Sequence, residues 1–171
     1  MVGHTHWLSS LAKEGEVFRA IRRAVPGVRA VHTPMSGCGG AHVYIQIQKT
    51  VEGQGRAAAT TALSTFFDIK HAFVFDEDVD IFDEKEVLQA LAMRFQADRG
   101  LVLLTGMNGS PLDPSSPGAM LTSKVGFDCT KPLGQPFAER LSVPQDVLAR
   151  IDPVQLLGQH RFERIPVEPW G

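Results

Sequence analysis

Cysteine is scarce in this chain: only Cys38 and Cys129 occur, far apart and without a C-x-x-C partner. That excludes a disulfide framework and a thiolate metal site, and both are expected to be reduced structural thiols. Charge of one sign is also lacking. The formal net charge is −2, and no cationic cluster is denser than Arg19, Arg22 and Arg23, so no footprint for a polyanion exists and nucleic acid is not expected as a partner. No apolar run approaches the roughly 18 to 20 residues of a membrane helix. The opening MVGHTHWLSSLAKEGE has neither the cationic nor the apolar region of a signal peptide, so no membrane is expected and a cytoplasmic location is. The motifs G-x-S-x-G and H-E-x-x-H and a P-loop are missing as well, so short motifs alone declare no enzyme.

What is present is an alternating pattern in a chain long enough, at 171 residues, for one well-packed domain. Thr5 is a plausible N-cap for a helix whose apolar residues Leu8, Leu11, Phe18, Ile21 and Val25 share one face, with Gly15 a local weakness and Pro26-Gly27 the stop. VRAVHTP (28–34) and the alternating HVYIQIQ (42–48) predict two paired strands. RAAATTALSTFF tolerates a helix, HAFVFD is a buried strand, EKEVLQALAMRF a helix, and LVLLT (101–105) an uninterrupted apolar strand. Two successive β-α-β steps predict an α/β sheet with helices packed on it. Residues 106 to 126 are rich in Gly, Pro and Ser and predict a long functional loop. There is no internal repeat and no heptad pattern.

The most conspicuous chemistry is FDEDVDIFDEKEV, where six carboxylates fall within positions 75–84. Asp76, Asp78 and Asp80 match the start of a calcium loop, but Ile81 stands where Gly is needed and Val87 where a bidentate Glu is needed, which rejects that site. An acid–base pair needs carboxylates in unlike surroundings, and the sequence offers no such contrast. The preferred reading is structural, with Asp83 as N-cap and Glu86 completing a D-x-x-E capping box. His4 and His6 are two apart and do not face each other on a helix; His32, His42 and His71 read as isolated strand histidines. The glycines of Ser36-Gly37-Cys38-Gly39-Gly40 precede a strand rather than a helix, so they read as a hairpin connection and not a phosphate cradle.

The order HTHWLSSLAKEGEVFRAIRRAVPGVRAVHTP, VYIQIQK, DIKHAFVFDEDVDIFDEKEV, QADR, GSPLDPSS and KVGFDCTKPL resembles the C-terminal domain of the UbiD-like decarboxylases over about residues 4 to 150. The resemblance implies a domain organisation of residues 1–27 as the family's interdomain helix, 28–150 as a single α/β domain, and 151–171 as a tail that could dock on a partner. It implies that the acidic stretch is a strand end and helix start. It also implies that the catalytic Glu-Arg-Glu set, and the ligands for prenylated FMN with its divalent and monovalent cations, belong to an N-terminal portion that precedes this chain's first helix, so this chain alone would bind no cofactor and no metal. In relatives the domain supplies a dimer interface and a few pocket side chains; carried over, these are Phe67, Asp68, Ser110, Pro111 and Leu112. The family often has an aromatic residue where Ser110 stands, which bears on substrate size. Three readings follow: a non-catalytic small subunit completing the pocket and oligomer of a large cofactor-binding (de)carboxylase subunit for an aromatic or α,β-unsaturated acid; a free-standing self-associating or aromatic-acid-binding module; or an expressed fragment of a longer enzyme.

Overall fold

The computed structural model describes residues 4–116, 120–138, 145–148 and 150. Residues Met1–Pro136 form one compact unit and Phe137–Gly171 a second. In the second, the short helix α5 (Gln145–Leu148) is described, with Asp146 paired to Arg150 at 3.2 Å; the expected docking tail, 151–171, lies outside the described residues.

The first unit is a five-stranded mixed sheet with helices, an α/β architecture. Its elements are α1 (His4–Ala24), β1 (Val28–His32), β2 (His42–Ile47), α2 (Gln54–Thr65), β3 (His71–Asp76), α3 (Glu84–Arg94), α4 (Ala97–Gly100), β4 (Leu101–Asn108) and β5 (Leu121–Asp128). The spatial order is β1-β2-β3-β5-β4. β1 pairs antiparallel with β2 as expected, and the Ser36–Gly40 glycines form their connection, with Cys38 and Gly39 at positive φ. β2-α2-β3 is a parallel β-α-β step.

The second expected step is corrected. β5, whose first six residues fall in the stretch 106–126 expected to be a loop, inserts parallel to β3, and LVLLT becomes an edge strand antiparallel to β5 and extended to Asn108. As an edge strand it is not uniformly buried: Leu103 is 59% exposed. The loop shrinks accordingly to the connection between Asn108 and Leu121.

One apolar cluster joins Val17, Ile21 and Val25 of α1 and the alanines of α2 to Val43, Ile45, Ile47, Ala72 and Val74 of the sheet. On the opposite face Val87 and Ala90 of α3 pack with Tyr44, Phe75, Val79, Ile81 and Cys129. Helix α1 starts at His4, so Thr5 lies within its first turn rather than capping it. Its inner stripe also differs from expectation. Leu11 is 70% exposed, whereas Ser10 is buried, because the stripe turns polar where it meets the end of β1. There Ser10 Oγ lies 2.6 Å from Thr33 Oγ1, and Glu14 Oε1 accepts from Thr33 N at 2.7 Å and Thr33 Oγ1 at 3.0 Å. Both cysteines are free; Cys129 is buried and desolvation pushes its thiol up to about 12, but Cys38 is exposed and holds no core position.

Candidate functional site

Each carboxylate of the acidic stretch has a structural partner. Asp78 forms a bidentate pair with Arg94, at 2.9 Å to each nitrogen, and takes Lys131 Nζ at 2.8 Å. Those donors hold its carboxyl down to about 2. Asp76 accepts Lys131 N at 2.7 Å, Asp80 accepts Phe82 N at 2.9 Å, and Glu84 accepts from Ser36 and Tyr44. Asp83 caps α3 by accepting Lys85 N at 2.9 Å. The capping box is only half as expected, since Glu86 reaches back to Asp80 N at 3.1 Å instead of to Asp83.

The candidate pocket residues sit on two stretches that the fold brings together. The first follows α2. Lys124, on β5, donates to Leu63 O at 2.7 Å and Phe66 O at 2.8 Å, ending the helix, and the chain emerges extended through Phe66. Phe67 is 49% exposed. Asp68 turns to an ion pair with Lys13 of α1, and its Oδ1 is buried without a hydrogen-bond partner. Gly40 lies against that pair: a Cβ there would stand 2.6 Å from Lys13 Nζ. Ile69 is fully buried, and the backbone of Lys70 is clamped on both sides, its N–H on Ala41 O and its carbonyl on Val125 N, each at 2.9 Å.

The second stretch is the turn from Ser110 to Ser116. Ser110 Oγ accepts Leu112 N at 3.2 Å, and Asp113 Oδ1 accepts Ser115 N at 3.0 Å, Asx and Ser turns that these residues favour. Pro111 and Leu112 point outward, Leu112 at 85% exposure. Lys70 Nζ joins the two stretches, donating to Asp113 Oδ2 at 2.8 Å and to Ser115 Oγ. That contact and the Ser115 bonds hold Asp113 down to about 2. Beside it is a cleft of about 400 Å³ lined by Lys70, Ser115, Ser116, Gly106 and Leu121 to Ser123. Sequence reasoning missed Lys70 and Asp113; their signal was a lysine directly ahead of a buried strand and an Asp-Pro in a polar turn, both within motifs already singled out.

His42 and His71, expected to be isolated, are paired in register across β2 and β3 with ring centroids 4.9 Å apart, and His71 Nδ1 is buried without a partner. Burial lowers both pKa values; His71 is lowered further by His42 and Lys70 and raised by Asp113, while Glu84 raises His42. The unfolded chain therefore takes up protons first. Stability is expected to be complete above about pH 6.5, to fall as pH drops below it, and to level off once the folded-state imidazoles titrate. Urea melts between pH 5 and 8 should show that fall, and His71→Phe with His42→Phe should flatten it; an unchanged slope in the double variant rejects the assignment.

Among the described residues no group of three or more His, Cys, Asp or Glu is arranged to hold a metal ion. Asp76 and Asp78 of the acidic stretch are engaged by Arg94 and Lys131. Among the described residues this donor set does not fit a divalent cation, and no chemistry through such an ion is assigned to it.

Residues 6–129 match the family model for the 3-octaprenyl-4-hydroxybenzoate carboxy-lyase C-terminal domain. The chain is 45% identical over 127 residues to the anhydromevalonate phosphate decarboxylase of Aeropyrum pernix, covering 74% of this chain and 29% of the relative. It is 40% identical over 112 residues to the gallate decarboxylase of Lactiplantibacillus plantarum, covering 63% and 23%. Among solved structures it is similar to the UbiD-class enzyme HmfF from Pelotomaculum thermopropionicum in complex with FMN, with a TM-score of 0.79 and 35% identity over 88% of this chain and 34% of that one. The chain thus spans about a third or less of these relatives.

Proposed function

The chain belongs to the UbiD-like decarboxylase family, as its carboxy-lyase C-terminal domain, and from that membership we propose that it is the non-catalytic part of a (de)carboxylase for an aromatic or α,β-unsaturated acid. In this reading a larger polypeptide binds prenylated FMN with its divalent and monovalent cations and carries out the bond-breaking chemistry. This chain completes the substrate pocket through Phe67 and the Ser110–Leu112 turn, with Asp68 supporting that wall, and completes the oligomer through self-association in the cytoplasm. Gallate, in the name of one relative, is an aromatic acid; the name of the other, anhydromevalonate phosphate decarboxylase, widens the class beyond aromatics.

The observation that carries the reading is Leu112, a large apolar side chain 85% exposed on a turn whose own backbone is hydrogen-bonded into shape. A side chain so placed contributes little to the stability of this chain and is available to a neighbour. Leu112→Ala is expected to leave the melting temperature of the isolated chain unchanged and to lower kcat/KM of the complex with the cofactor-binding polypeptide by about tenfold, about 1.4 kcal/mol. A destabilisation of roughly 2 to 5 kcal/mol, as for a core leucine, would sink the pocket assignment. So would unchanged kinetics. Decarboxylation by the purified chain alone, with a flavin absorption band, would overturn the division of labour.

A further inference from the structure

We propose that Lys70 is a positioning residue that latches the Ser110–Ser116 turn to the sheet and thereby sets where Leu112 stands; this rests on the pocket reading above.

Little else holds the turn. Within it, Leu112 N, Asp113 N, Ser115 N and Ser116 N all bond to other members of the same turn, so the turn keeps its internal shape. Among the described residues, the hydrogen bonds that join residues 110–116 to the rest of the chain are two from the Lys70 ammonium, to Asp113 Oδ2 and Ser115 Oγ, and one at the far end, from Ser116 Oγ to Leu121 O, so Lys70 alone holds the part that carries Leu112 and Asp113. The other end of the latch is rigid. Lys70 follows the fully buried Ile69, and its backbone is bonded to Ala41 on one side and Val125 on the other.

Asp113 carries the latch in both directions, offering Oδ2 to Lys70 and Oδ1 to Ser115 N and, at 2.8 Å, to Ser115 Oγ. A shift of the ammonium therefore moves the turn as a unit. Pro111 and Pro114 flank the Leu112-Asp113 pair and fix φ at their own positions, which limits the ways Leu112 can compensate. Side-chain charge at residue 70 should thus act on substrate fit through Leu112 without touching substrate. A flexible lysine is suited to this, since its ammonium can serve two acceptors at once.

Hydrogen exchange on the isolated full chain tests the latch. In Lys70→Met the amides of Leu112, Ser115 and Ser116 should exchange about tenfold faster than in the natural chain, with β3 and β5 amides and the melting temperature unchanged. Asp113→Asn, which keeps an acceptor for Ser115 but removes the ion pair, should give a smaller increase, and Lys70→Arg should restore most of the protection. Unchanged exchange in Lys70→Met overturns the proposal. In the complex, Lys70→Met should lower kcat/KM about fivefold in the natural background and have no further effect on top of Leu112→Ala, as expected when one residue acts through another. Equal losses in both backgrounds overturn the positioning role. If neither substitution changes the kinetics, the pocket reading fails, while faster exchange in Lys70→Met still establishes the latch.

Discussion

Replacing Lys124 with methionine is expected to destabilise the fold by about 2 to 4 kcal/mol, although the substitution removes a charge from the interior and nearly conserves volume. Lys124 is 2% exposed and its ammonium donates to Leu63 O at 2.7 Å and Phe66 O at 2.8 Å, the carbonyls left over where α2 ends. A cation at a helix C-terminus is favoured by the helix dipole as well as by those orphan acceptors. Burial lowers the pKa of Lys124, and the nearby Asp68 opposes that shift. Two effects compete in the methionine variant. Desolvation of the ammonium is relieved, which for some buried ion pairs makes a hydrophobic replacement neutral or stabilising. Against this, two carbonyls lose their donor, at about 1 to 3 kcal/mol for each one that stays buried. Since Met carries no donor and Leu63 is fully buried, the second effect should win. A fall in melting temperature of about 5 to 15 °C follows for a chain of this size. A methionine variant as stable as the natural chain would refute the capping role.

Gly126→Val is expected to cost about 3 kcal/mol or more, or to prevent folding. A Cβ at residue 126 would stand 2.8 Å from the Cβ of Ala59, closer than real Cβ atoms pack, and 3.2 Å from that of Val102, a tight contact. Helix α2 cannot simply retreat. At its start Gly55 lies against Asp128, where a Cβ would meet Oδ1 at 2.1 Å, and that same oxygen accepts from Thr130 N and Oγ1. The helix is thus seated on β5 at two glycines. Gly126→Ala should cost about 1 to 3 kcal/mol, and adding Ala59→Gly should recover part of it, less about 1 kcal/mol for glycine within a helix. Denaturant melts of the four chains give the coupling; strict additivity would show that the contact between residues 59 and 126 is not the cause.

Much of the architecture was legible in the residues because local pattern and tertiary role agree there. β2 alternates Val43, Ile45 and Ile47 against polar neighbours, and those three are fully buried. Asp83 begins a helix at the position its side chain suits. The glycine-rich segment after Pro34 turns the chain between two antiparallel strands. In each case the decisive interactions lie within a few residues or recur at a fixed period.

β5 is where pattern and role part. The positions of Leu121–Asp128 that face α2 hold Lys124 and Gly126, the reverse of what an apolar core face displays, because a helix seated that close leaves no room for a side chain at 126 and needs a donor at 124. The same holds for Leu11, whose place on the inner stripe of α1 is taken by Ser10 and Glu14 because Thr33 lies opposite. The candidate site divides along this line. Composition and periodicity by themselves determined an α/β domain, and the resemblance to the decarboxylase family made Phe67, Asp68 and the Ser110–Leu112 turn its candidate residues. Tertiary structure decided that Lys70 spans to Asp113 across a separation of 43 residues, that His42 meets His71 edge to face, and that Asp68 turns toward Lys13. A charge's partner is chosen by strand order and by the depth at which helices pack, neither of which leaves a periodic trace along the chain.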